Sequence, residues 1–336
     1  MSPILQAGFK RFKQNKLGLS CSILFICVFV LSLASELIAN DKPLLVKYDQ
    51  TLYFPVLKHY PETTFGGVFE TETEYKDPVV QQLIQAKGWV VWPLIRYSYQ
   101  TPNVDLTVPV PSPPTMQNWL GTDDQGRDVL ARVLYGLRVS LLFGFILTFS
   151  SAVLGIVIGA IQGYYGGWID LIGQRIEVWG GLPMLFMVMI LVSMFSPNIY
   201  WLFLIMLLFS WTILVPLVRA EFLRARQLDY VRAARSLGVT NRAIIFRHIL
   251  PNAISSSLSQ LPFILTANIT ALTALDFLGY GLPPDAASLG ELLLQGKNNL
   301  NAPWLALSGF FSLALVLALL MYIGEALRDA FDPRRQ

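Results

Sequence analysis

Few side chains in this 336-residue chain stand at spacings that do chemistry. The two cysteines, Cys21 and Cys27, lie six residues apart in one apolar run and therefore on different faces of a helix. Neither a disulfide nor a metal site follows, and they read as small apolar side chains set against lipid or neighbouring helices. His59 and His248 are the only histidines, and their separation leaves no zinc constellation. There is no H-E-x-x-H run, and no G-x4-G-K-[ST] loop to cradle the phosphates of a nucleotide. Ala306-Leu307-Ser308-Gly309 lacks the first glycine of the G-x-S-G run that an intramembrane serine protease needs, and Asp276 has no second aspartate at membrane depth. The expectation is a chain that is not an enzyme and carries no metal and no cofactor, with an intramembrane enzyme or a structural membrane anchor as remote alternatives.

The informative spacing belongs to a basic stretch between two apolar ones, YVRAARSLGVTNRAIIFRHILPN at 230–252. It reads as two short helices around Gly238. Asp229 is the expected N-cap of the first, Gly238 stands where a left-handed C-cap is wanted, Thr240 caps the second, and Pro251 ends it. A hairpin of this kind is built to dock against another surface.

The elements that must hold the hairpin are membrane helices. With 54% hydrophobic and 14% charged residues, and several apolar runs near twenty residues long, the chain reads as a polytopic membrane protein. Spans are expected at 17–39, 139–161, 177–196, 199–218, 254–278 and 304–325, each long enough for a bilayer core of about 30 Å. Six spans place both termini on one side. Lys10, Arg11, Lys13 and Lys16 precede the first span, seven arginines from Arg219 to Arg247 follow the fourth, and Arg328, Arg334 and Arg335 close the chain. The positive-inside rule puts all three groups, and both termini, in the cytoplasm. The first span is too long, and Glu36 to Asn40 too poor a cleavage site, for a signal peptide, so it is expected to be retained.

Residues 41–138 then lie outside, since long loops translocate largely regardless of charge. From 41 to about 115 the segment is rich in Pro, Tyr and Trp and has no long helical period, so a small irregular or β-rich subdomain is expected. After the turns at Gly121 to Asp123 and Gly126, the spacing of Val129, Val133 and Leu137 predicts an amphipathic helix preceding the second span.

Polar groups at membrane depth are candidates for a translocation path: Asn268, Thr270, Thr273 and Asp276 recur on roughly one side of the fifth span. Alternatives stand beside that reading. Asp276 is close enough to the outer end to meet water or cap the following turn, and Asn268 can hydrogen-bond a neighbouring helix. Pro183, Pro216 and Pro262 interrupt spans, as proline ordinarily does in membrane helices.

Arg232, Ala233, Ala234, Gly238, Leu250 and Pro251 together resemble the coupling loop of ABC importer permeases, usually written E-A-A-x3-G-x9-I-x-L-P. Arg232 stands at the glutamate position and His248 at the isoleucine position; the alanines, the glycine and Leu250-Pro251 match. A second stretch, Leu120 to Val129 with Arg132, Gly136, Arg138, Ser140 and Leu141, is similar to the L-G-T-D-x-x-G-R-D-V-x-S-R…G-x-R-x-S-L pattern of C-type permeases of dipeptide, oligopeptide and nickel importers, with Ala131 replacing the serine. FLGYGLPP at 277–284 fits the end of that family's fifth span, while Leu289 occupies a usual tryptophan position. SELIANDKPLL (35–45), GWVVWPLI (88–95), PSPP (111–114) and SLGELLLQGKNNL (288–300) resemble the YejE-type branch, peptide-importer permeases associated with uptake of microcin C.

The resemblance implies an all-α polytopic fold, with one N-terminal helix, an external insertion after it and a five-helix type I permease core. The expected division is 1–40 for the cytoplasmic tail and first span, 41–138 for the periplasmic segment, 139–328 for the permease domain with its coupling loop at 219–252, and 329–336 for a cytoplasmic tail. It implies residence in the bacterial inner membrane, and as partners the lipid bilayer, a second homologous permease subunit, ATP-binding subunits that hydrolyse ATP, and a periplasmic peptide-binding protein. Nothing points to nucleic acid. The implied activity is translocation of peptides by alternating access, with dipeptides and nickel chelates as alternative cargo.

Overall fold

The computed structural model describes residues 3–104, 106, 108–194, 198–283 and 285–331. Along the chain, α1 (Pro3–Gln14), α2 (Lys16–Leu33) and the short α3 (Ser35–Ile38) lead into β1 (Leu45–Tyr48), β2 (Thr51–Tyr53), α4 (Pro78–Lys87) and β3 (Gly88–Val91). Then follow α5 (Val129–Tyr165), α6 (Gly167–Glu177), α7 (Met184–Ser193), α8 (Ile199–Ser210), α9 (Val215–Ala225), α10 (Asp229–Ser236), α11 (Asn241–Ala243), α12 (Leu250–Leu258), α13 (Leu261–Phe277), α14 (Leu289–Asn298) and α15 (Pro303–Phe331). Among the described residues, four stretches are long and apolar enough to cross a membrane: Lys16–Leu33, Val129–Tyr165, Ile199–Ala225 and Pro303–Phe331. Two shorter apolar helices, Met184–Ser193 and Leu261–Phe277, stand where the third and fifth spans are expected.

The chain divides into two compact units, one of residues 28–139 and 284–313, the other of 1–27, 140–283 and 314–336. In the first, β2-β1-β3 form a three-stranded antiparallel sheet, with Val46 opposite Tyr53 and Val90. Val46, Phe65, Tyr75, Val80 and Ile84 make its core, with α4 laid on through Val80 and Ile84, one turn apart. The β-rich expectation overlooks that ten-residue helix. Its signal is Asp77-Pro78: the Asp77 carboxylate accepts from Val79 N at 2.7 Å, and proline suits a helix's first turn because its missing N–H would have no partner there.

The amphipathic helix expected before the second span is not a separate element. α5 runs unbroken for 37 residues, about 55 Å at 1.5 Å per residue, because nothing between Val129 and Tyr165 removes a backbone donor. Asp128 starts it, its carboxylate accepting from Ala131 N at 2.8 Å.

In the second unit the prolines redraw the expected spans. Pro183 is the N-cap of α7, and Pro216, Pro251 and Pro262 fall in the first turns of α9, α12 and α13. The expected span at 177–196 therefore breaks at Val178–Gly181, a 3-10 turn, and its residues 195 and 196 lie outside the described residues. The span expected at 254–278 breaks between Leu258 and Leu261. The last five residues of the expected tail at 329–336, with Arg334 and Arg335, lie outside the described residues; its first three close α15.

A seam of small residues joins α5 to the fourth span. Cβ atoms on Gly155, Gly159 and Gly163 would stand 2.8 Å from Trp211 O, 2.9 Å from Val215 O and 2.6 Å from Arg219 O. Glycines every fourth residue thus bring two helix backbones into direct contact, as in small-xxx-small packing of membrane helices.

Candidate functional site

The hairpin is anchored from within and open at its tip. Val231 and Ala234 on α10, and Ile244, Ile245 and Ile249 after it, are buried in one cluster with Val218 and Phe222 of α9. Gly238 has φ +76°, Gly238 N donates to Arg235 O and Val239 N to Ala234 O, both at 3.1 Å. This is a Schellman closure, and Val239 completes it by packing on the same cluster. Thr240 Oγ1 accepts from Ala243 N at 3.4 Å.

Two capping expectations are corrected. Leu228, not Asp229, is the N-cap of α10, and Asp229 is its first helical residue, where a carboxylate faces the positive end of the helix dipole. Pro251 does not end the second helix. Residues 244–249 form a π-helix that runs directly into α12, with Pro251 in the first turn.

Of the six coupling residues, Arg232, Ala233 and Gly238 are exposed, Leu250 and Pro251 half-buried, and Ala234 buried. Leu237, beside the glycine, is 83% exposed although it is among the most apolar residues of the hairpin. Among the described residues no heavy atom outside Gly238 and its two chain neighbours lies within 4 Å of where a Gly238 Cβ would be. The tip therefore presents an apolar knob on a basic arm.

The arm is stitched to the C-terminal end of α5. Tyr164 Oη donates to Asn241 Oδ1 at 2.6 Å, Arg226 Nη1 to Tyr164 O at 3.3 Å, and the Arg235 guanidinium lies 5.6 Å from the Tyr164 ring centre. Arg226, Arg232 and Arg235 line a cavity of about 580 Å³ with Tyr164 and Tyr165, and no carboxylate among the described residues lines it. Nearby, Arg219 grips Asp170 of α6 with Nε at 2.5 Å and Nη2 at 2.7 Å, which holds that carboxyl below the usual carboxylate range.

The four path candidates do not share one environment. Asn268 is buried and ties three helices together: its Nδ2 donates to Thr148 Oγ1 of α5 at 3.0 Å, and Ser210 Oγ of α8 donates to its Oδ1 at 3.1 Å. Asp276 caps the turn after α13, accepting from Leu282 N at 2.7 Å. Thr273 is buried and donates to Ile269 O. Thr270 alone of the four is exposed, on a face shared with Ala267.

The sequence reading singled out the run at 120–132 without finding what it builds. Arg127 Nε donates to Asp123 Oδ2 at 2.6 Å and its Nη2 to Glu291 of α14 at 3.2 Å, while the fully buried Arg132 pairs with the same glutamate. Asn118 Nδ2 donates to Asp128 at 2.8 Å, and burial pushes that carboxyl up. The signal was two arginines five residues apart after an aspartate; their shared partner, more than 150 residues on, was invisible without the fold. Among the described residues no three His, Cys, Asp or Glu side chains gather as a metal site would require.

Residues 155–336 match the model of the family described as binding-protein-dependent transport system inner membrane component. The chain is 56% identical to the inner membrane ABC transporter permease protein YejE of Escherichia coli K12, over all of this chain and 98% of that one. It is 50% identical to the peptidoglycan transport system permease protein YejE of Agrobacterium fabrum, over 99% of this chain and 94% of that one. Identity is 35% to the oligopeptide transport system permease protein OppC of Mycobacterium tuberculosis H37Rv, over 75% and 87% of the two chains. A multi-pass, largely helical chain with an exposed hairpin tip and matches of this extent belongs to the binding-protein-dependent transport system inner membrane component family, as a permease subunit of an ABC transporter.

Proposed function

We propose that this chain carries peptides across the bacterial inner membrane by alternating access, as one of two homologous permease subunits, and that it hydrolyses nothing itself. ATP is hydrolysed on partner subunits that receive the hairpin of residues 219–252, with both termini on the same, cytoplasmic side. A periplasmic peptide-binding protein delivers cargo to the opposite side, where residues 41–138 lie. The observation that carries this reading is the hairpin tip: Gly238 at φ +76° and Leu237 exposed, on an arm bearing Arg232 and Arg235 and rooted in the membrane helices by Val231, Ala234 and Ile244. An exposed apolar side chain on a rigid, buried base is the form of a docking hot spot.

Relatives named for oligopeptide and peptidoglycan transport support peptides as the cargo class. Peptides of several residues come first, and peptide conjugates such as microcin C follow through the likeness to YejE. For the path, Thr270 is the candidate, since it is exposed while Asn268, Thr273 and Asp276 are buried; its hydroxyl donates to Thr266 O, as that of Thr273 does to Ile269 O.

The test is uptake in a strain lacking the gene, complemented with wild type or Gly238→Asp, on a panel of toxic peptides, nutritional peptides and microcin C. Loss of sensitivity restored by wild type alone, with both chains equally abundant in the membrane, is the expected outcome. Full uptake by Gly238→Asp refutes the coupling role, and unchanged uptake of every compound refutes the cargo class.

A further inference from the structure

The β-containing unit holds two adjoining cavities that share Gln81, Trp92 and Arg96. Each is about 360 to 370 Å³, within the range of small-molecule sites. The first is walled by Trp92, Tyr97 and Trp119, with Lys76 and Arg96 as its charged groups; the second adds Trp89 and Tyr75. Among the described residues no carboxylate lines either one. Tyr75 is 4% exposed, and its Oη, without a well-formed hydrogen bond, belongs to a residue of the second cavity's wall.

Each of the two cations stands against an aromatic ring. The Arg96 guanidinium lies 5.5 Å from the centre of the Trp92 ring, and Lys76 Nζ lies 3.7 Å from that of Tyr97. Among the described residues the Arg96 guanidinium makes no hydrogen bond or ion pair, so its N–H groups can fork an incoming carboxylate. The indole and phenol walls then suit an apolar side chain next to that carboxylate, and Gln117 can bond a peptide unit, as can the Oε1 of Gln81, whose Nε2 donates to Lys76 O at 3.3 Å. The geometry points to a binding site for the C-terminal carboxylate and apolar last residues of a short peptide, on the external unit of the permease itself. It rests on the proposed cargo class and placement outside the membrane, and deepens them: the permease has its own contact with cargo, apart from the binding protein.

Purified full-length chain in lipid nanodiscs is titrated with trileucine and with its C-terminal amide, following tryptophan fluorescence and binding heat. Wild type binds trileucine saturably, and the amide binds more weakly by on the order of tenfold or more, the scale of a lost charge-assisted hydrogen bond. Arg96→Gln weakens trileucine to the same degree, leaves the amide unchanged, and melts like wild type because Arg96 is exposed. Arg96→Lys recovers part of the loss. Equal binding of acid and amide, no effect of Arg96→Gln, or no trileucine binding overturns the proposal. A cavity that responds to ligand-free binding protein and not to trileucine is a protein dock, which also overturns it. Neither ATPase nor binding protein is needed for the peptide titration, so its failure is distinguishable from failure of the uptake test.

Discussion

Replacing Gly238 separates backbone strain from contact, because the structure leaves only the first in play. With φ at +76° and no atom beyond its chain neighbours within 4 Å of the missing Cβ, alanine there meets no clash and pays only for the left-handed conformation, about 1 to 2 kcal/mol. That is a factor of roughly 5 to 30 in the population of the native turn, and the same ratio is the ceiling on lost affinity for a partner that docks only to that turn. Asparagine tolerates positive φ far better, and valine worse than alanine, so docking strength falls in the order Gly, Asn, Ala, Val. The assay is binding of the purified ATPase subunit to nanodisc-embedded variants, with membrane abundance and melting temperature measured alongside. Abundance stays level, since the turn is exposed and the buried anchors Val231, Ala234 and Ile244 are untouched. If asparagine and valine weaken docking equally, the dihedral is not the cause and the reasoning fails.

Three other outcomes follow from the packing and the charges. Gly159→Leu drives a side chain into Val215 O and Val218, so the chain fails to accumulate. Gly159→Ala costs about 1 to 3 kcal/mol, and Gly181→Ala, with open space around it, leaves the melting temperature unchanged; equal melting of the two alanine variants contradicts the seam. Asn268→Leu removes two hydrogen bonds between helices, at about 0.6 to 1.7 kcal/mol each, and lowers the melting temperature in detergent while uptake per inserted molecule holds; a selective loss of uptake returns Asn268 to the path. Arg219 holds the Asp170 carboxyl below its unfolded value near 3.9, so its stabilisation is complete above about pH 5 and fades as pH falls through the folded value. Asp170→Asn therefore melts lower than wild type at pH 7, and the gap closes toward pH 3; a gap independent of pH refutes the pairing.

What the sequence disclosed depended on how local the cause was. The Gly238 turn was legible because a Schellman closure involves residues only five apart, from Ala234 to Val239, and only glycine fits it readily. The six apolar stretches were legible from hydropathy, yet their ends were not. A proline's effect depends on whether a helix begins there, and Pro216, Pro251 and Pro262 start helical segments instead of stopping them. Asp276 as a turn cap and Asn268 as a link between helices stood among the open readings beside a path, and the partners Leu282 N, Thr148 and Ser210 came only with the fold. Glu291, which answers Arg127 and Arg132, and the glycine seam against α9 depend on which helices become neighbours.

The π segment at 244–249 gives the hairpin a property that belongs to counting. Bonding five residues back instead of four means that this turn holds one residue more than an α-helix of the same length would. In an α-helix each residue advances the face by about 100°, so a change of this turn to α geometry with all its residues kept would rotate α12 by about that angle against the buried trio of isoleucines, whereas deleting one residue between Ile244 and Ile249 would let the turn relax to α geometry with the face of α12 kept. The surplus residue is a phase setting: it fixes which side of α12 is presented for a given seating of the hairpin, and a motion that squeezed it out would be read beyond Pro251 as rotation rather than as a push.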